Sequence, residues 1–300
     1  MIYYIPILRG RSIAMKIFIV GCGKIGSSII DAIGDTDHDI VVLERDEAKV
    51  QRIIETRDVL ALCVDGTDFR ELKGASIDKA DWVIATTNSD ESNLLTCFLA
   101  KNYGAKHTIC QVRRHEYSKS EMDKIKSDFG IDMLYSPDLL AAEAMFDMID
   151  CHEHLRSHRF KRNPRIMLMG ASKIGIHLAR LLSEASCSVK LIELDKERAY
   201  DVSADLNGAV DVIYGDGTEK NLLFEEGIHE ADAFVALTGI DEENLLMSVF
   251  AQSHNVPRVI AKVDRNVFSR LGSVLGVTEL VSPMIVSAEA VRAFIFDQEH

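Results

Sequence analysis

The sequence predicts an α/β protein made of two tandem doubly wound parallel-sheet (Rossmann-like) domains. Short runs rich in Val and Ile alternate with amphipathic stretches of helical spacing, a glycine-rich hexapeptide follows the first such run, and both features return about 150 residues later. Alternation of strands and helices at this spacing is typical of a parallel sheet with helices on both faces. A length of 300 residues fits about two such domains.

The repeat consists of five sequence blocks that recur in the same order. They are "GCGKIG" at 21 and "GASKIG" at 170, "VVLERDEAK" at 41 and "KLIELDKER" at 190, "VDGT" at 64 and "GDGT" at 215, "ADWVIATTNSDESNLL" at 80 and "ADAFVALTGIDEENLL" at 231, and "GIDMLYSP" at 130 and "GVTELVSP" at 276. This tandem duplication predicts domains at 15–150 and 165–300, joined by a basic linker, 151–164. We interpret residues 1–14 as an N-terminal extension, with a further strand as the alternative.

The elements follow from apolar periodicity. Twelve apolar runs predict buried parallel strands at 16–20, 39–44, 59–63, 82–85, 108–112, 131–134, 165–169, 188–193, 210–213, 233–236, 258–263 and 278–281. Helical spacing predicts helices that include 25–34, 91–103, 138–150 and 284–296. The last two begin at an "SP" dipeptide, and proline is favoured in the first turn of a helix.

Composition limits the classes of function. The net charge is −13 and the isoelectric point is near 5.2, which argues against broad binding of nucleic acid because phosphates require a basic face. The six cysteines include no CxxC pair, so we expect small buried side chains in a reducing cytosol. No apolar run reaches the roughly 18 residues that a membrane span requires.

The first glycine motif predicts a dinucleotide site. "KIFIV" precedes it, a helix pattern follows it, and an acidic residue ends the next strand. Gly21 permits the tight turn, Gly23 lets the backbone approach a pyrophosphate, and Gly26 lets the helix pack closely on the strand. Glu44 is placed to accept hydrogen bonds from ribose hydroxyls, which favours NAD(H) over NADP(H), although the adjacent Arg45 leaves this open. The candidate residues of the hexapeptide are Gly21, Cys22, Gly23, Lys24, Ile25 and Gly26.

The second hexapeptide has a serine in place of the middle glycine. Its candidate residues are Gly170, Ala171, Ser172, Lys173, Ile174 and Gly175, with Glu193 as the acidic partner. Ser172 removes the closest backbone approach to a pyrophosphate, but its hydroxyl can itself donate to a phosphate. We therefore expect the second site to bind a nucleotide with altered fit or lower affinity, so that the two sites are unequally occupied.

Further candidates follow the third and fourth strands of each half. Asp65 and Asp216, in the "DGT" blocks, would lie beside the adenosine end of a nucleotide. A local Asp-Gly turn with a helix-capping threonine is the equally open alternative. Thr87 and Thr238 end the fourth strands, and the acids at 90 and 241 are expected to cap the next helices.

The sequence shows no catalytic constellation. We find no substrate domain, no matched histidine pair, no G-x-S-x-G elbow and no Walker A motif. Cys151, His154 and His158 share one helical face, but they lack a fourth ligand and a copy in the other half, so no metal site is predicted. We therefore predict two nucleotide sites without attached chemistry.

The blocks "KIFIVGCGKIG", "VVLERDEAKV", "ADWVIATTNSDESNLL" and "VIYGDGTEKNLLFEEGIHEADAFVALTGIDEENLL" resemble the TrkA family of Trk-system potassium-uptake regulatory proteins, whose nucleotide-binding halves are RCK (KTN) domains. The resemblance covers about residues 15–297. It implies a cytoplasmic, peripheral regulatory subunit at the inner face of the plasma membrane, docked on a Trk-type potassium-translocating subunit. It further implies NAD(H) as the ligand, with ATP or ADP as alternatives, and assembly into homo-oligomeric dimers or rings.

The sequence departs from that family in one respect. The family normally has a smaller C-terminal module after each nucleotide-binding domain, whereas only residues 138–164 separate the halves here, and the chain ends at 300. This departure leaves the functions of those modules open. Two other hypotheses remain: an NAD-dependent oxidoreductase, and a scaffold whose clefts stay empty.

Overall fold

The computed structural model describes residues 14–34, 37–113, 119–149, 163–277 and 279–296. The predicted N-terminal extension, apart from residue 14, lies outside this part of the chain. So does most of the predicted linker, with Cys151, His154 and His158. Within the described ranges, no helix combines the length and the apolar character that crossing a bilayer requires.

The described chain alternates strands and helices, as predicted. The strands are β1 Lys16–Val20, β2 Asp39–Glu44, β3 Leu60–Cys63, β4 Trp82–Ala85, β5 His107–Gln111, β6 Met133–Tyr135, β7 Arg165–Met169, β8 Ser188–Glu193, β9 Asp211–Tyr214, β10 Ala233–Ala236, β11 Arg258–Lys262 and β12 Glu279–Val281. The helices are α1 Lys24–Ile33, α2 Glu47–Thr56, α3 Phe69–Gly74, α4 Asp90–Tyr103, α5 Lys119–Phe129, α6 Pro137–Ile149, α7 Lys173–Glu184, α8 Lys196–Asp205, α9 Lys220–Glu225, α10 Asp241–Ser253, α11 Asn266–Leu275 and α12 Pro283–Phe296. Short 3-10 turns occur at Ile77–Lys79 and Ile228–Glu230.

The strands form two six-stranded sheets with the same topology. The first has the order β3-β2-β1-β4-β5-β6, and the second has the order β9-β8-β7-β10-β11-β12. Neighbouring strands pair in parallel, for example Phe18 with Val41 and Val83, and Met167 with Lys190 and Phe234. This is the doubly wound order, in which the crevice for a ligand opens where the strand order reverses, at the carboxyl ends of the strands. The predicted fold class is confirmed.

Burial on both faces explains why the strands read as unbroken apolar runs. Ile17, Phe18 and Ile19 of β1 are completely buried. The first unit contains residues 14–34, 37–112, 119–134 and 291–296, and its core includes Trp82, which makes an edge contact with Phe294. The second unit contains 113, 135–149, 163–277 and 279–290.

Helix α6 is part of the second unit by its packing. Ala141 and Ala142 are fully buried, and they share a core cluster with Leu178 and Ala179 of α7. Small side chains at this contact allow the two helices to approach closely. The domain limits predicted from the repeat remain a prediction about the duplicated segments, since the compact units divide the chain differently.

Candidate functional site

A cleft opens at the carboxyl ends of the central strands in the first unit. We call it the first cleft. Its lining includes Gly21, Gly23, Glu44, Arg45, Lys49, Asp65, Thr86, Thr87, Ser92 and Thr96. It lies at the reversal point of the strand order, where a doubly wound sheet binds its ligand.

The turn between β1 and α1 requires glycine at two positions. Gly21 has a φ of +93°, and its N–H donates to the carbonyl of Leu43 at 2.8 Å. A Cβ on Gly26 would lie 2.2 Å from the carbonyl oxygen of Gly21, so the first turn of α1 rests directly on the turn. Cys22 and Ile25 are half-buried in this segment, and Lys24 is exposed.

Helix α1 starts without a side-chain cap. Gly23 is the N-cap residue, and a Cβ placed on it would meet no atom within 4 Å. The first N–H groups of a helix have no partner inside the helix, and they carry the positive end of its dipole. The start of α1 thus presents backbone donors toward the first cleft, which is an arrangement suited to a phosphate.

Glu44 holds the turn and also lines the first cleft. Its Oε2 accepts from the N–H of Cys22 at 3.0 Å, and its Oε1 accepts from the N–H of Asp46 at 3.1 Å. The side chain is buried, and Lys49 Nζ lies 4.0 Å from Oε2. A carboxylate offers about four acceptor positions, so capacity remains for ribose hydroxyls. The glycine motif predicts the role of Glu44 toward a ligand and does not predict its role in the turn.

The "DGT" block forms a local turn at the edge of the cleft. Asp65 Oδ1 accepts from the N–H of Thr67 at 2.8 Å and from its hydroxyl at 2.7 Å, and the hydroxyl bond lowers the pKa of Asp65. Asp216 makes the same two bonds with Thr218. The threonine therefore closes the turn and is not the cap of the following helix, which begins after Asp68 in the first unit.

Thr87 and its counterpart Thr238 are held by buried asparagines. Asn93 Oδ1 accepts from the N–H and the hydroxyl of Thr87 at 2.8 and 2.6 Å, and its Nδ2 donates to the carbonyl of Gln111 at 2.9 Å. Asn244 repeats the pattern with Thr238. Both asparagines are fully buried, which explains a residue type that is otherwise poor inside a helix.

The acids at the start of α4 and α10 do not act as the predicted caps. Ser89 caps α4 by accepting from the N–H of Ser92. Asp241 is buried and accepts from the N–H groups of Asp264 and Arg265, so it connects α10 to the end of β11.

In the corresponding cleft of the second unit, side chains bond the backbone of the glycine-rich segment. We call it the second cleft; its lining includes Gly170, Ala171, Ser172, Glu193, Arg198, Asp216, Thr238 and Glu243. Ser172 Oγ accepts from the N–H of Gly175 at 3.2 Å. Arg198 donates from Nε to the carbonyl of Ala171 at 2.9 Å, while Glu193 accepts from the N–H of Ala171, also at 2.9 Å. An N–H that faces a phosphate in a doubly wound site is therefore already bonded to the serine.

The charges around the two clefts also differ. The charged lining residues are Glu44, Asp65, Arg45 and Lys49 in the first cleft, and Glu193, Asp216, Glu243 and Arg198 in the second. The formal charges of the first set sum to zero, whereas those of the second set leave a net of two negative charges. A ligand with two phosphates is consequently favoured in the first cleft by electrostatics.

Several of the lining residues were not predicted from the sequence. Arg198 and Glu243 were not singled out, because they stand where the two halves differ: Lys49 and Ser92 occupy the matching positions. The remaining residues of the second hexapeptide, Lys173, Ile174 and Gly175, form the first turn of α7. Comparing the two halves position by position at their non-identical residues would have found these differences.

Named relatives match most of the chain. A Trk system potassium uptake protein TrkA homolog from Archaeoglobus fulgidus is 27% identical over 357 aligned positions, which cover 94% of this chain and 81% of the relative. The Trk system potassium uptake protein TrkA of Haemophilus influenzae is 23% identical, with 94% and 79% covered. An alignment of 357 positions is longer than the 300-residue chain, so the first relative carries residues that this chain lacks.

Solved structures of low sequence identity share the fold. The GsuK RCK domain superposes with a TM-score of 0.73 at 15% identity. The aligned region covers 100% of this chain and 80% of the GsuK chain. The human SLO3 gating ring superposes with a TM-score of 0.67 at 10% identity, covering 95% and 82%.

The family model matches the chain twice. The TrkA-N domain model matches residues 17–137 and again residues 166–283. Since these two segments make up most of the 300 residues, the chain belongs to the TrkA-N domain family.

Proposed function

We propose that this chain is a non-catalytic, nucleotide-binding regulatory subunit of a Trk-type potassium uptake system. It binds NAD(H), or an adenine nucleotide such as ATP or ADP, and passes a conformational change to the transporter. The relatives named as Trk system potassium uptake proteins, which match 94% of the chain, support the role in potassium uptake.

One observation carries the proposal of nucleotide binding. The first cleft combines an uncapped helix start with a buried glutamate one strand away, at the reversal point of the sheet. The first group suits a pyrophosphate and the second suits a ribose, which together match a dinucleotide. GsuK, which has the same fold, has been solved with NAD and with ADP, at TM-scores of 0.74 and 0.73.

The proposed partner is the potassium-translocating membrane subunit. The chain would dock on it from the cytoplasm, at the inner face of the plasma membrane, as a homo-oligomeric dimer or ring. The likeness to the SLO3 gating ring and to the GsuK channel supports such an assembly. Nucleic acid is not a proposed partner, because the net charge is −13.

Native mass spectrometry and calorimetry of the purified chain test the proposal. With NADH, NAD, ATP and ADP as ligands, we expect one tightly bound nucleotide per chain, and NADH that is not consumed. Steady oxidation of NADH in the presence of a metabolite pool would support the oxidoreductase hypothesis instead. Absence of a binding heat with all four nucleotides would favour the scaffold hypothesis.

The transport role has a separate test: the chain should co-purify from membranes with a potassium transporter.

Exchanging the loop residues should change the unequal affinities of the two clefts. We expect Gly23→Ser to weaken NADH binding in the first cleft about fivefold to tenfold, since the new hydroxyl would bond the N–H of Gly26 as Ser172 bonds that of Gly175. Ser172→Gly should strengthen binding in the second cleft by a similar factor. Calorimetry measures both affinities.

Gly23→Ala is the control for this exchange. It adds a Cβ in open space without adding a hydroxyl, so it should change NADH affinity less than serine does. Two sites of equal affinity in the unmodified chain would show that Ser172 has no effect.

A further inference from the structure

A buried polar pair lies behind the first cleft, at the carboxyl ends of β4 and β5. Thr86 lines the cleft and is buried, and its hydroxyl donates to Oε1 of Gln111. Gln111 is 1% exposed, and its Nε2 donates to no atom in the described part of the chain. A buried N–H group without an acceptor is destabilising and uncommon, so its retention needs a cause.

The second unit holds the same two positions without an unpaired donor. Leu237 replaces Thr86 and joins the apolar core, and Lys262 replaces Gln111 and pairs with Asp264 at 3.0 Å. The two units share the same hydrogen bond beside these positions. Asn244 donates to the carbonyl of Lys262 at 3.0 Å, as Asn93 donates to that of Gln111. The polar pair is therefore a local feature of the first cleft and not a requirement of the fold.

The position of the pair indicates which part of a ligand it meets. In a doubly wound sheet, the acid that ends β2 binds the adenosine ribose, and the pyrophosphate lies at the start of α1. The second nucleoside of a dinucleotide then crosses to the half of the sheet that contains β4 and β5. Thr86 lies between the start of α1 and that half of the sheet. A Cβ on Gly26, in the first turn of α1, would lie 3.1 Å from the methyl group of Thr86.

We propose that Thr86 and Gln111 recognise the second, non-adenosine nucleoside of a dinucleotide in the first cleft, an inference that rests on the proposed nucleotide function. Rotation of the Gln111 amide by half a turn lets Nε2 donate to Thr86 Oγ1. The Thr86 hydroxyl then donates to a ribose hydroxyl or a carboxamide oxygen of the ligand. After this rotation, Oε1 of Gln111 is buried without a donor, which proteins tolerate more often than a buried N–H without an acceptor. The pair thus selects a dinucleotide over a nucleoside diphosphate.

The test compares ADP, ADP-ribose and NADH as ligands of the unmodified chain and of the double variant Thr86→Val/Gln111→Met. In the unmodified chain, we expect NADH to bind about tenfold more tightly than ADP, as one further hydrogen bond to the ligand would give. In the double variant, the NADH Kd should rise about tenfold to that of ADP, while the ADP Kd changes less than twofold. Its melting temperature should not fall, because both partners of a buried bond are replaced by apolar groups of similar shape.

Thr108→Val is the matched control. Thr108 is also a fully buried threonine of the β5 region, but its hydroxyl bonds the carbonyl of Gly130 and it does not line the cleft. This variant should leave both affinities unchanged.

Three outcomes overturn the inference. They are equal affinity of the unmodified chain for ADP, ADP-ribose and NADH; an unchanged NADH Kd in the double variant; and an equal loss of ADP and NADH binding in that variant. The first needs no variant, so it decides the question even if the double variant does not fold. Absence of binding for all three ligands in the unmodified chain would instead remove the proposed function itself.

Discussion

Replacing Gly26 by alanine is expected to lower the free energy of unfolding by about 3 kcal/mol and to abolish nucleotide binding in the first cleft. The new Cβ would lie 2.2 Å from the carbonyl oxygen of Gly21, which is a backbone atom that no side-chain rotation can move. Relief requires a shift of α1 away from the turn, and that shift removes the helix start from its place over the cleft. Urea denaturation and NADH calorimetry measure the two effects.

Two glycine variants serve as controls. Gly175→Ala in the second unit creates a similar contact, 2.4 Å from the carbonyl of Gly170, so it should lower stability comparably while the first cleft still binds NADH. Gly74→Ala at the end of α3 meets no atom within 4 Å and should raise stability by about 0.5 kcal/mol. A Gly26→Ala protein as stable as the unmodified chain would contradict the close approach of α1 to the turn.

The strands were predictable because a strand that is buried on both faces appears in the sequence as a run of consecutive apolar residues. The central strand of the first sheet occupies Lys16–Val20, as predicted. The other strands begin and end within two residues of their predicted limits. The largest difference is β6, predicted at 131–134 and observed at Met133–Tyr135. Asp132 lies just before the strand: its N–H donates to the carbonyl of Thr108 at 3.0 Å, while its carboxylate, in place of a backbone carbonyl, accepts from the N–H of Thr108 at 2.7 Å. Such a competing side-chain bond leaves no periodic signal.

The packing of α6 could not be read from its sequence. An apolar run after "SP" indicates a helix, and it does not identify the surface that the helix covers. Ala141, Ala142 and Met145 find their neighbours on α7, more than 25 residues further along the chain. Contacts at that separation depend on shape complementarity, which residue types alone do not encode.

The candidate site was predictable to the level of the backbone. Gly21, Gly26 and Glu44 lie where the motif predicts, because positive φ and close packing exclude most other residue types. The role of Ser172 was less predictable: its hydroxyl was considered as a possible donor to a phosphate, and the structure adds that it accepts from the N–H of Gly175. The unpaired donor of Gln111 was not predicted, since it depends on the rotamers of two buried side chains.

Replacing Glu44 by glutamine is expected to weaken NADH binding about 100-fold. Two ribose hydroxyls would lose their bonds to a charged acceptor, each worth about 1.5 kcal/mol at the lower end of the usual range. The amide also has only one acceptor oxygen, whereas the carboxylate accepts from the N–H groups of both Cys22 and Asp46. Some loss of stability is therefore expected along with the loss of affinity, and the two must be separated.

Glu193→Gln separates them, because Glu193 has the same structural role in the second unit. It accepts from the N–H of Ala171 and of Asp195, both at 2.9 Å, so its replacement by glutamine should lower stability as Glu44→Gln does. If the first cleft is the tight site, Glu193→Gln leaves the principal NADH affinity unchanged. Calorimetry and urea denaturation of both variants give four values. Equal loss of affinity in the two would mean that Glu44 acts on the turn and not on the ligand, and it would remove the assignment of the ribose to this carboxylate.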